Sequence, residues 1–271
     1  MFLLFLDDSS QKNCSREKMG RLVAAGGILI EAAKARALEI ALNELCCFKY
    51  GFPKDALFKW SPSKNHWMRE NLVGEKRAQF FDEVMGLAQR HGATAIVTVS
   101  DATKGLATGK ATNSEMDVLV MTLERFNLAL EQNSGMVIVA RPSGGRGDED
   151  KFLVACAGLV NQGTDYVDFK KLATNVLTMP FDNSRLLQVA DLVVSISTAI
   201  VAGHTEFAGK IFPQVKPLFR SHQGRIGGAG LKIHPDFSYA NLYHWLLGDQ
   251  HFKAAALPIE SRPFPKDGHT Y

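Results

Sequence analysis

The stretch Leu186 to Val201, LLQVADLVVSISTAIV, leaves the chain few ways to fold. Its apolar residues stand at 186, 187, 189, 190, 192, 193, 194 and 196, on every face of a helix, and a helix that is apolar all round belongs in an interior. Asp191 is the only charge within it. A buried carboxylate without compensation is strongly disfavoured, so Asp191 needs a core Arg or Lys, a wet crevice, or a cation shared with a second carboxylate. The helix alone leaves these open. A partner carboxylate elsewhere in the chain would decide for the last.

At 271 residues and 46% hydrophobic, the chain can bury a full core. We expect one large domain over residues 1–205, with residues 206–271 as a C-terminal extension packed on the same domain. The apolar run at 186–201 is broken by Gln188 and Asp191 and is too short for a membrane span, and MFLLFL runs straight into Asp7 and Asp8, too short for a signal core. No membrane partner is expected. Cys14, Cys46, Cys47 and Cys156 show no CxxC spacing, which argues against a zinc site or a disulfide framework and makes reduced cytoplasm the default location. A net charge of +3 permits a polyanionic partner without arguing for one. The histidines lack HxxxH spacing, and neither Ser184 nor Ser195 sits in a GxSxG elbow, so zinc and serine hydrolases are disfavoured. The Gly- and Lys-bearing loop Thr103 to Thr112 lacks the spacing of a P-loop.

In chain order, Phe2 to Leu6 reads as a buried strand that breaks into a turn at Asp7-Asp8-Ser9-Ser10. Adjacent residues on a strand face opposite ways, so Asp7 is assigned inward and Asp8 to the turn. Leu22 to Ile30 is a second strand, and its Ala24-Ala25-Gly26-Gly27 lets another element approach closely. Helices are expected over 31–48, 66–72, 75–90, 114–133 and 151–160, and strands over 56–60, 94–99, 136–140 and 175–179. The long helix at 186–201 would be capped by Asn183 or Ser184. Beyond it, 207–219 is helical in parts and 220–232 is a glycine-rich basic loop that either follows a nucleic-acid backbone or packs as a tail. Strands alternating with helices after an opening run of strands argue for a mixed α/β layer fold.

LFLDDSS, AAGGILI, FKWSP and PFDNSRLLQVADLVV, in that order, resemble the prokaryotic family called domain of unknown function 3800. The family opens on a strand ending in Asp-Glu-Ser-Gly, has a Gly-Gly second strand and a Lys-Trp-Ser segment, and closes on a helix with Gln-hydrophobic-Ala-Asp-Leu. The resemblance spans most of the chain. It implies a ribonuclease H-like α/β core, a mixed sheet flanked by helices with helical insertions and the C-terminal extension, in which acids from the first strand and a late helix hold divalent metal. Carried over residue by residue, Asp7 and Asp191 are the principal catalytic and metal-binding acids and Asp182 of the closing motif a third, with Asp8, Gln188, Ser184 and Lys59 in support. Two changes are mild: Asp8 replaces Glu and Ser10 replaces Gly. A larger departure is Ala140, where family members often carry an Asp. Asp101 could supply the missing acid only if its strand lay beside that of Asp7.

Two carboxylates about 4 Å apart at an effective dielectric near 20 repel by roughly 4 kcal/mol, enough to raise one pKa by about three units unless a cation intervenes. Oxygen ligands select Mg²⁺ or Mn²⁺. The expected activity is therefore metal-dependent hydrolysis of nucleic-acid phosphodiesters, with DNA and RNA both open and a homo-oligomer allowed. Lys59, Lys104 and Lys110 could contact phosphates. The rival expectation, motivated by Ala140, is a degenerate module that binds nucleic acid or a protein partner without cleaving it.

Overall fold

The computed structural model describes residues 1–104, 113–252 and 262–263. Most of the Thr103 to Thr112 loop, with Lys110, lies outside the described residues, as does most of the chain after 252. Six strands form one mixed sheet: β1 (Phe2–Gln11), β2 (Leu22–Glu31), β3 (Thr94–Asp101), β4 (Gly135–Ala140), β5 (Leu177–Met179) and β6 (Leu231–His234). Their order is β5-β4-β1-β2-β3-β6. β1, β2 and β3 form an antiparallel meander, while β4 runs parallel to β1, β5 to β4 and β6 to β3. The first strand is thus central, with a neighbour on each side.

Helices cover both faces. On one lie α1 (Ala32–Glu44), α2 (Trp67–Asn71), α3 (Gly74–Arg90), α6 (Arg185–Val201) and α7 (Thr205–Val215). On the other lie α4 (Ser114–Ala129) and α5 (Arg146–Gln162). A short helix, α8 (Asp236–Leu242), follows β6. All 17 residues of α6 are buried, as its pattern predicts, and it lies across β1 and β2 with α1 and α7 beside it. Gly27 permits that approach, since a Cβ there would stand 2.8 Å from the Ala190 side chain. Among the described residues no helix is long and apolar enough to cross a membrane, and the four cysteines are free.

Several boundaries differ from the sequence reading. β1 does not stop at Leu6 but continues to Gln11, because Asp7 to Gln11 keep pairing with Leu22 to Gly26. Asp8 is therefore a strand residue and not a turn. Residues 56–60 join no sheet; they are held on α6 by side chains. Leu231 and Lys232, expected in a loop, belong to β6, which reaches its partner β3 across more than a hundred residues of sequence. α5 begins at Arg146, with Asp148 and Glu149 in its first turn, where acids suit the positive end of the helix dipole.

Candidate functional site

Side-chain alternation along β1 sends Asp7 and Ser9 toward α6 and Asp8 toward α4. The Ser9 hydroxyl lies 3.3 Å from that of Ser195 on α6, whereas the acid most strongly felt by Asp8 is Glu115 at the start of α4. Asp7 is half-buried and flanked by small residues. Gly26 is its antiparallel partner, and Ala140 follows Val139, the parallel partner of Leu6. The space between Asp7 and α6 is therefore bordered by small residues on both neighbouring strands.

Asp191 descends from α6 into that space. Its Oδ2 accepts the Trp60 amide at 2.8 Å and its Oδ1 accepts the Ser195 hydroxyl at 3.3 Å. One oxygen of Asp7 accepts the Asp8 amide at 2.9 Å. Asp7 feels the charge of Asp191. Burial, then the charges of Asp191 and Asp8, push the Asp7 carboxyl up to about 8, against the opposing pull of the Asp8 amide and of Lys59. Burial likewise raises Asp191, and the Trp60 amide, Lys59 and Ser195 only partly offset it. The compensation that α6 demands for its charge is thus two hydrogen bonds and the nearby Lys59, with no carboxylate–cation contact among the described residues.

The segment around Lys59 is clipped to α6 by three bonds. Ala56 O accepts from Arg185 Nη1 at 2.9 Å, the Phe58 amide donates to Gln188 Oε1 at 3.1 Å, and the Trp60 amide donates to Asp191 Oδ2 at 2.8 Å. Alternate residues of the segment thereby meet one helix residue per turn. Arg185 also donates to Gln188 Oε1 at 2.7 Å and to Asn43 Oδ1 at 3.0 Å. Sequence reading singled out Gln188 and Asp191 but missed Arg185; the signal was available as a polar stripe at 185, 188 and 191 on an otherwise apolar helix. Ser184 is the N-cap, accepting the Leu186 amide at 3.1 Å. Glu39 of α1 completes the cap, taking the Arg185 and Leu186 amides at 2.8 and 3.2 Å.

Asp182 stands apart from the acid pair. It is exposed on a short turn, Phe181–Asn183, and lines a separate polar cleft of about 390 Å³ with Glu39, Lys54, Asp55 and Arg185. Asp101 is also elsewhere: β2 separates its strand from β1. Its carboxylate accepts the Gly20 and Thr103 amides at 3.0 and 2.9 Å and the hydroxyls of Thr103 and Tyr239. Those bonds outweigh burial and hold it below the usual carboxylate range, the state of a tied-down structural acid.

No cluster of three or more His, Cys, Asp or Glu side chains able to hold a metal is found among the described residues. The donors present are two raised, desolvated carboxylates. They fit one hard divalent ion whose remaining shell comes from water or substrate oxygen, a mode common for Mg²⁺. They do not make a closed protein cage. Compared with known proteins, the chain matches no protein-family model and no curated protein.

Proposed function

We propose that the chain is a metal-dependent phosphodiester hydrolase acting on nucleic acid, built on a ribonuclease H-like core. The observation that carries this reading is the meeting of Asp7, from the central first strand, with Asp191, from a late helix, over the face of the sheet. This is the juxtaposition implied by the motif resemblance, and its electrostatics favour a cation: burial first, then the charge of Asp191, raises the Asp7 carboxyl, and a divalent ion would oppose both. Asp7 and Asp191 would hold the ion. Bound there, Mg²⁺ or Mn²⁺ would stabilise charge developing on a phosphodiester. The chain's own groups set the stage for it. Trp60 and Ser195 orient Asp191, and Gly26 and Ala140 keep bulky side chains away from Asp7 on the two neighbouring strands.

Calorimetric titration of Mn²⁺ into the wild type and Asp191→Asn tests the site, and cleavage of labelled DNA and RNA in Asp7→Asn and Asp191→Asn tests the chemistry. Saturable binding and cleavage, both lost in variants that remain folded, are the expected result. Ala140, beside Asp7 where a third acid would stand, favours a second reading, a module that binds without cleaving. That reading predicts nucleic-acid binding unaffected by either substitution.

A further inference from the structure

Lys59 has no ion pair among the described residues, although its charge is felt at Asp7, Asp8 and Asp191. Its ammonium rests instead on the ring of Phe181, 4.9 Å from the centroid. The backbone beneath it is fixed, since the next amide, Trp60, is bonded to Asp191 itself. Trp60 continues into an aromatic group with Phe81 and Phe207, at centroid distances of 5.8 and 5.1 Å. Phe58 and Trp60 thus anchor the segment in the core, and Lys59, between them, projects from the other side. Phe181 packs partly against the same core and presents its remaining surface to the ammonium.

We propose that Lys59 and Phe181 form a two-part subsite for single-stranded nucleic acid beside the Asp7–Asp191 pair, the ammonium taking a phosphate oxygen and the ring stacking on the adjoining base. The proposal rests on the reading of that pair as a phosphodiester site and adds the form of the substrate. A cation–π contact at a half-exposed position is weaker than a charge-assisted hydrogen bond to phosphate, so a phosphate oxygen that reaches Lys59 draws the ammonium off the ring. The uncovered ring can then stack. Only an unpaired base can offer its face to a side chain in this way, and every base has such a face, so the subsite selects strandedness and not sequence.

The test is fluorescence anisotropy of a labelled mixed-sequence oligonucleotide of about 12 nucleotides, within the span that one binding groove covers. It is done in EDTA, over a range of salt, with the full-length wild type, Lys59→Met, Lys59→Arg and Phe181→Leu, and thermal melts report folding. Lys59→Met is expected to weaken binding about tenfold and to lower the salt slope by about one, as loss of a single phosphate contact does. Lys59→Arg restores both. Phe181→Leu weakens binding by a similar factor at unchanged slope and abolishes the preference for the single strand over the matching duplex. Unchanged affinity and slope in Lys59→Met, equal binding of duplex by the wild type, or no binding at all would overturn the proposal. Cleavage of substrate by wild type with an unaffected Lys59→Met overturns this subsite and leaves the hydrolase reading standing. Lys59-dependent binding without any cleavage does the reverse.

Discussion

At the scale of single residues, the acid pair makes a prediction about pH. The Asp7 carboxyl is pushed up to about 8 from an ordinary value of 3.8, chiefly by burial and then by Asp191. Between those values the folded protein holds a proton that the unfolded chain has released. Folding is therefore favoured by this group at low pH, and the contribution drains away as pH rises from about 4 to about 8. Asp7→Asn cannot lose a proton and escapes that penalty. Without divalent metal, its melting temperature should exceed that of the wild type above pH 8, at roughly 2–4 °C for each kcal/mol recovered, while the two should converge near pH 4. Thermal unfolding across that range in EDTA measures the difference. Equal pH profiles would show that Asp7 does not titrate within the window, and the acid pair would lose its electrostatic motive for a cation. Asp8 was harder to read. Its neighbourhood is set by Glu115, more than a hundred positions away, and only the continuation of β1 reveals which face it takes.

At the scale of elements, α6 was legible because composition alone dictates an all-buried helix, and β2 because Gly26 and Gly27 announce a close approach. The segment at 56–60 was not. Its alternation suggested a strand, but its backbone groups are satisfied by Arg185, Gln188 and Asp191 and not by a neighbouring strand. Local pattern cannot distinguish those two destinations for the same amides. Glu39 was also invisible as a cap, because it comes from another helix. Two substitutions follow from this packing. Gly27→Val would drive a side chain into β1 and α6, and overpacking of a buried site typically costs about 1–3 kcal/mol, more where backbone must move. Glu39→Ala leaves the Arg185 and Leu186 amides without their carboxylate, at about 1–2 kcal/mol. Chemical denaturation should rank Gly27→Val as the more damaging. The reverse ranking would mean that α6 is held chiefly by its first turn and not by its bed on the sheet.

At the scale of the whole molecule, the sheet order does what no local pattern announces: it sets β1 between β2 and β4 and so puts Ala140 at the level of Asp7. The class of fold could be read from alternating strands and helices, but strand order depends on pairings closed over long stretches of chain, and β6 shows how easily one is missed. Order also settles why Asp101 cannot stand in for Ala140, since β2 lies between its strand and that of Asp7. The sheet therefore offers a direct trial of the metal reading, Ala140→Asp. In parallel strands, residues at the same level share a face, so the new carboxylate would join Asp7 and Asp191. Without metal it adds a third like charge to a desolvated pair, and stability should fall more steeply with pH than in the wild type. With metal the sign reverses. Affinity for hard cations rises with the number of anionic oxygen ligands, so Mn²⁺ binding by calorimetry should tighten by about tenfold or more, and Mn²⁺ should raise the melting temperature of the variant more than that of the wild type. A variant that is destabilised but gains no affinity would show that the space above β1 admits no ion. Asp7 and Asp191 would then be a proton-sharing pair, and the non-hydrolytic binding module would become the better account of the chain.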